Sequence, residues 1–416
     1  MSATVSALEK IQSTQISAVT KCAIAYSGGL DSTLGIELLR RVYRAGEIVP
    51  INVDVGQGEE EIRMARIRAA KLAIEPLLVD AREEFSENWL KKAIRANSDY
   101  YGYPVSTSMT RQLIAREVAG KALELGCDAV LEGSTGRGND QYRMHNVFKM
   151  FAPHLTILVP VRDFDLTRGE ELALCQEWGV PVEEVIVGGD DKTLWCRSIA
   201  SGAIGLNQEI PEHVWMWLLP PRKAPDHTER VSLRFAEGVP IALNGKELPL
   251  ADLIDALNRI GGKNGVGRID VFEDGIMGLK SREIYEAPAA QIILAVKRDL
   301  EGQCLTKEER EFKRLADARW ASMVYHGEWF HPLKEDLDAF IAQSQKTVNG
   351  TVTVELYKGN IEFVERERPS CSLFFPEVRS IQASGEGLDQ RWCANAAKVR
   401  GLPFELLARR NAKMRK

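Results

Sequence analysis

Residues 24–33 read IAYSGGLDST. An apolar run, two glycines, three serine or threonine residues and one carboxylate follow one another within ten positions. If the apolar run ends a buried strand and DSTLGIELL opens a helix, the glycines permit a tight turn whose backbone N–H groups point outward. Ser27, Ser32 and Thr33 add hydroxyl donors at the positive end of that helix. Such a turn suits a phosphate group. A bare glycine turn without a ligand is the alternative that the rest of the chain must displace.

The lysine that closes a Walker A loop is absent, so the usual kinase or GTPase reading fails. Asp31 adds a second constraint. A carboxylate beside polyphosphate repels it unless Mg²⁺ stands between them, which gives Asp31 the task of holding a metal ion on departing pyrophosphate.

The surrounding segments fit this reading. CAIAYS, IVPINVDVG and EPLLVD alternate with the helix-like STLGIELLRRVYRAG and EIRMARIRAAKLA. That alternation predicts a parallel sheet with helices on its faces. RQLIAREVAGKALELG continues as an amphipathic helix before the strand-like DAVLEG, and TILVPV at 156–161 reads as a further strand. Beyond about residue 175 the texture changes to shorter strands and hairpin turns, as in PVEEVIVGGDD, VSLRFAEGVPIALNGKEL and TVTVELYKGNIEFVERE, which predicts an α+β second domain. WMWLLPPRKAPD, rich in proline, predicts irregular chain.

The composition narrows the function. A length of 416 residues favours two domains, and a net charge of −5 argues against extended nucleic-acid binding. No segment is apolar enough to predict a membrane span. Seven scattered cysteines without CxxC spacing point to reduced thiols and a cytoplasmic setting. Six histidines in no metal-ligand spacing give no transition-metal site. Residues 1–17 are expected to be a loose N-terminal extension, and the basic ending ELLARRNAKMRK a solvated tail.

A second motif, EGSTGRGNDQYR at 132–143, gathers Thr135, Asn139, Asp140 and Arg143 in a glycine-containing loop after a strand-like DAVL. It is either a polar turn or a site for a small ligand bearing both carboxylate and amine. SGGLDS resembles the PP-loop of the N-type ATP pyrophosphatases, which cleave ATP between its α and β phosphates. With GRGNDQYR, VDVGQGEE (53–60), GGKNGVGRIDVFEDGIMGLKSREIYEAP (261–288), YHGEWFHP (325–332) and LYKGNI, the chain resembles the argininosuccinate synthase family over most of its length.

The resemblance implies an α/β architecture: a Rossmann-like PP-loop nucleotide domain (18–174), an α+β synthetase domain (175–375) and a C-terminal oligomerisation segment (376–416) that helps to hold a homotetramer. It implies an AMP-forming ligation with ATP and Mg²⁺, joining citrulline, or a citrulline-like acceptor, to L-aspartate. Carried over by motif, Ala25, Tyr26, Ser27, Gly28, Gly29, Leu30, Asp31, Ser32, Thr33 and Gly133 face ATP. Thr107, Thr135, Asn139 and Asp140 face aspartate, with Asp140 suited to its ammonium. Tyr103, Ser108, Arg143, Ser198, Glu273 and Tyr285 face citrulline. Asp31, Asp140 and Arg143 are the candidate catalytic groups. No nucleic acid or membrane partner is implied.

The chain departs from the family pattern on the acceptor side. Gly189 replaces a pocket serine, Ala200 a frequent glutamate, and APAAQ (287–291) a TPGGT-like stretch, while Arg137 for lysine keeps the charge. These departures leave open a paralogue that uses a different ureido, amide or carboxyl acceptor. A catalytically silent binding protein is opposed by the intact loops.

Overall fold

The computed structural model of the protein describes residues 2–181, 190–200, 209–367, 369–375 and 391–415. Residues 1–369 form one compact unit and residues 370–416 a second.

The first sheet is parallel. Its strands are β1 (Lys21–Ala25), β2 (Glu47–Asp54), β3 (Leu77–Asp80), β6 (Ala129–Leu131) and β7 (Thr156–Leu158), in the order β3-β2-β1-β6-β7. Cys22, Ala23 and Ile24 of β1 are all buried, because helices cover both faces of the sheet. The expected strand at 156–161 is shorter than predicted: Pro160 lacks an N–H and fits the first helical position, so the chain turns into the short helix Pro160–Asp163.

The helix Leu30–Arg41 packs on this sheet with nearly its whole surface buried. Gly35 allows that approach, since a Cβ there would come within 3.0 Å of Ile24 Cδ1 and 3.1 Å of Leu131 Cδ2. The buried Glu37 carboxylate of this helix is answered by Arg40 and Arg41, both at 2.7 Å.

The N-terminal stretch corrects an expectation. Ala3–Ser13 is a helix, capped by the Ser2 side chain. Ala7 and Ile11, one turn apart, enter the same core as Leu174 and Cys175. Ser6 and Lys10 reach Glu170 at 2.7 and 2.8 Å, so the segment is docked on the helix Arg168–Trp178.

The rest of the first unit is built on antiparallel sheets. β4 (Asp99–Tyr100) and β5 (Tyr103–Pro104) make a small hairpin. β8 (Asp190–Lys192), β9 (Arg197–Ala200), β13 (Arg268–Asp274) and β14 (Lys280–Glu286) form a sheet in the order β13-β14-β9-β8. A third sheet contains β10 (Glu229–Ala236), β11 (Val239–Leu243), β12 (Lys246–Glu247), β15 (Gly350–Tyr357) and β16 (Asn360–Arg366), in the order β12-β11-β10-β15-β16. Both predicted hairpins lie in it. Most of PVEEVIVGGDD, including Gly189, lies outside the described residues, and its last two residues open β8. Between Trp215 and Asp226 the chain is irregular apart from the short turn Pro221–Lys223.

The second unit contains the helix Trp392–Met414, with Pro403 in its interior. Val399, Leu402, Phe404 and Leu406 of this helix are exposed.

Candidate active site

The parallel sheet places the site. Its chain path reverses direction between β1 and β6, and open α/β sheets bind ligands outside the carboxyl ends of strands at such a switch point. The SGGLDS turn leaves β1 there, and GSTGRGND leaves β6 beside it. The two loops touch: a Cβ at Gly133 would lie 3.1 Å from Asp31 Cβ and 3.3 Å from Ser32 N.

The turn is held by its own side chains. Gly28 has φ +77°, and a Cβ there would meet Ala65 Cα at 2.7 Å, so only glycine fits. Gly29 N donates to Ser27 Oγ at 3.2 Å, and Thr33 Oγ1 donates to Gly29 O at 2.7 Å. Ser27 and Gly29 are exposed and Asp31 is partly so, whereas Leu30, Ser32 and Thr33 are buried. The open face of the loop is therefore Ser27, Gly29 and Asp31, while Thr33 shapes the turn from beneath. Tyr26 is also buried, with its hydroxyl 3.4 Å from Ala65 O, its N–H donating to Ile51 O at 2.8 Å and its carbonyl accepting from Asn52 at 2.9 Å, so it supports the turn from within.

Sequence reasoning missed two groups here. Arg168 donates to Asp31 Oδ1 at 2.8 Å and lies 3.3 Å from Glu171 Oε2. Burial, and then the Asp31 charge, push the Glu171 carboxyl up to about 8. The Asp31 carboxylate and the Ser27 hydroxyl, on the open side of the turn, are hard oxygen donors of the kind that magnesium takes.

Asp140 begins the helix Asp140–Phe151. Its Oδ1 accepts from Arg143 Nη1 and its Oδ2 from Arg111 Nε, both at 2.8 Å. Arg111 also reaches Asp191 Oδ1 on β8 at 2.5 Å. Burial opposes ionisation of Asp140, but the two guanidiniums outweigh it and hold the carboxyl below its usual range. Asp140 is thus paired with two arginines, partners that its expected role as receptor for the aspartate ammonium had not included. Arg111 is a further omission. Its signal was its place one turn after Thr107, on the same helix face.

The acceptor side is a chain of aromatic and polar contacts. Tyr285 donates to Glu273 Oε2 at 3.0 Å and Tyr325 to Glu273 Oε1 at 2.8 Å. Asn139 Nδ2 donates to Tyr325 Oη at 2.9 Å, and its Oδ1 accepts from Ile276 N at 2.9 Å. The Arg143 guanidinium lies 4.8 Å from the centre of the Tyr325 ring, and its Nε donates to Tyr325 O. Tyr103 stacks on Tyr285 at 4.0 Å. Sheet register then brings in β9, because Ser198 pairs with Tyr285, and Ser198 Oγ lies 3.2 Å from Thr107 Oγ1. Thr135 accepts from Gly138 N at 3.2 Å, closing the loop before Asn139. Ser108 is buried one residue beyond Thr107. Tyr325 belongs to YHGEWFHP, but nothing in local spacing signals the role of its hydroxyl.

Glu132, between β6 and the polar loop, is fully buried, and neither of its carboxylate oxygens has a hydrogen-bond partner. Burial, and then the nearby Asp140 charge, raise it to about 8. Among the described residues no group of three or more His, Cys, Asp or Glu is placed to hold a metal ion.

Comparison with known proteins agrees with this geometry. Residues 21–181 match the arginosuccinate synthase N-terminal HUP domain, and residues 189–407 match the arginosuccinate synthase C-terminal domain. The chain is 42% identical to the argininosuccinate synthase of Methanopyrus kandleri, over 94% of this chain and all of that one. It is 42% identical to that of Methanocaldococcus jannaschii, over 91% and 95%, and 40% identical to that of Methanococcus maripaludis, over 91% and 96%. With both domains matched in order, and the SGGLDS and GSTGRGND loops in contact at Asp31 and Gly133, the chain belongs to the argininosuccinate synthase family.

Proposed function

We propose that the protein ligates citrulline to L-aspartate with cleavage of ATP to AMP and pyrophosphate. The contact between the SGGLDS turn and the GSTGRGND loop supports this most directly, since it sets a phosphate cradle beside a cluster of paired charges suited to amino-acid recognition. In the first step the citrulline ureido oxygen attacks the α-phosphorus, and the bond to the β-phosphate oxygen breaks. In the second, the aspartate amine attacks the ureido carbon and AMP leaves, the amine losing its protons.

The chain supplies position and charge rather than a covalent nucleophile. The open face of the Ser27–Thr33 turn, with Gly133 beside it, receives the phosphates. Asp31 would hold Mg²⁺, which would supply charge neutralisation for the pyrophosphate. Arg168, paired with Asp31 at 2.8 Å, adds a guanidinium suited to the same anion. Thr107, Thr135, Asn139 and Asp140 receive aspartate, and Arg111 and Arg143 keep Asp140 ionised while turning their remaining N–H groups to carboxylates. Tyr103, Ser108, Arg143, Ser198, Glu273 and Tyr285 receive citrulline, with Glu273 facing its ammonium.

We assign residues 18–174 to nucleotide binding, 175–375 to the amino-acid substrates and 376–416 to a homotetramer contact, for which the exposed apolar side chains of Trp392–Met414 are suited. No disulfide joins any two cysteines among the described residues, in keeping with a cytoplasmic enzyme. No helix among the described residues is long and apolar enough to cross a membrane.

The test is an acceptor screen at fixed Mg-ATP and aspartate, following AMP by chromatography and the adduct by mass. Turnover with citrulline supports the proposal. Turnover with a ureido or amide relative but none with citrulline assigns the chain to a paralogous ligase instead.

A further inference from the structure

Away from the nucleotide and acceptor loops, the helices Pro288–Cys304 and Lys307–Tyr325 border a cavity of about 290 Å³. Its lining includes Asn97, Asp99, Arg298, Arg310 and Arg314, together with a buried charge network. In that network Lys297 Nζ donates to Glu301 Oε1 at 2.6 Å, and Lys313 Nζ donates to both oxygens of Asp317 at 2.7 Å. Asn97 Nδ2 donates to Glu301 Oε2 at 2.9 Å and to Asp317 Oδ2 at 3.0 Å. Every carboxylate oxygen is engaged, and two lysines cancel two acids.

A second pair lies at the rim, where Arg298 faces Asp99 at 3.4 Å. Two charges are left over. Arg310 and Arg314, one turn apart on the same helix, make no side-chain hydrogen bond or ion pair with any described residue. Like charges at that spacing repel each other, and a concave wall focuses their field into the cavity. Guanidinium groups present planar donor forks that match the paired oxygens of phosphate and carboxylate. None of the polar groups described for the catalytic site lies in this cavity.

We propose that the cavity is a binding site for a small oxyanion, a phosphate or a carboxylate group, gripped by Arg310 and Arg314. Its neutral floor admits an anion because Glu301 and Asp317 are already paired. The site is separate from the ligase chemistry, and Asp99 connects it to the β4–β5 hairpin that carries Tyr100 and Tyr103.

The experiment is a thermal melt of the full chain at pH 6.5, with the nucleotide loop saturated by an ATP analogue that resists cleavage between its α and β phosphates. The pH lies on the charged side of Lys297, whose ammonium burial draws down to about 7. Inorganic phosphate and succinate are titrated separately. Either anion, at concentration c, should raise the melting temperature in proportion to ln(1 + c/Kd), on the order of 2 °C at ten times its dissociation constant. A response to phosphate alone or to succinate alone identifies which class the site takes.

Arg310→Gln combined with Arg314→Gln should remove the response, while the shift produced by the ATP analogue stays as in the unsubstituted chain. Arg310→Lys with Arg314→Lys, which keeps the charge but loses the fork, should retain a weakened response. No response to either anion, or an equal response in the glutamine variant, overturns the site. Because the readout is binding, it stands or falls independently of the proposed ligation.

Discussion

The nucleotide turn and the acceptor pocket lie side by side yet are built in different ways. The turn is largely local: Ser27, Gly29, Ser32 and Thr33 hold one another within seven consecutive residues, between one strand and one helix, while Gly28 rests on Ala65 and Arg68. The pocket is assembled across the chain, with Glu273 gripped by hydroxyls 12 and 52 residues away. A local device tolerates damage to distant parts and fails through its own residues. A distributed device fails through any of its supports, to a degree set by how much each one holds.

Asp31→Ala gives the sharpest test of the local device. The ion pair of Asp31 is with the exposed Arg168, so removing the carboxylate should cost little stability. Pyrophosphate release should fall by roughly 10³-fold at saturating citrulline, with an unchanged melting temperature. Activity within about threefold of the parent would remove Asp31 from the mechanism.

Arg111→Gln tests the distributed device at its most charged point. It leaves the Asp140 and Asp191 carboxylates without their shared guanidinium. The KM for aspartate should rise by about 10²-fold, with the KM for ATP nearly constant, as expected when a hydrogen-bonded charge pair is deprived of one partner. An equal rise in both constants would mean that the two regions are not separable in the way described.

A milder effect is expected from Tyr285→Phe. It removes one hydrogen bond to Glu273 while keeping the ring stacked on Tyr103. Steady-state kinetics should show the citrulline KM raised about fivefold to tenfold, equivalent to roughly 1 kcal/mol. No change in KM would place the Tyr285 hydroxyl outside substrate binding.

The smallest effect on turnover concerns Glu132, at the seam of the two regions, where the readout is stability instead. Its folded value of about 8 lies above the ordinary carboxylate value, so the folded chain keeps a proton that the unfolded chain releases. Its favourable contribution is complete below about pH 4.5 and is lost as pH rises through 8. Glu132→Gln, which cannot ionise, should therefore gain melting temperature over the parent at pH 8 relative to pH 5, on the order of 3 °C. Parallel curves for the two proteins would show that Glu132 is ionised, and matched, in the native state.

Much of this molecule could be read from its residues. The β-α-β alternation, the SGGLDS turn and the two hairpins after residue 229 follow from apolar periodicity and glycine placement, which act over a few residues. Other features were hidden. The docked helix Ala3–Ser13 shows only Ala7 and Ile11 as a buried apolar signal, and its anchor is Glu170, far along the chain. Arg111, Arg168 and Tyr325 gain their roles from partners 29, 137 and 52 residues away.

The sequence by itself determined the identity of the phosphate turn, because a strand end, a positive-φ glycine and a helix start are local conditions that adjacent residues satisfy alone. Only the tertiary structure decided which charges are already paired. It placed two arginines on Asp140 and left Arg310 and Arg314 unmatched among the described residues. Electrostatic pairing depends on distance in space, and the sheet order and register that set those distances are properties of the folded chain.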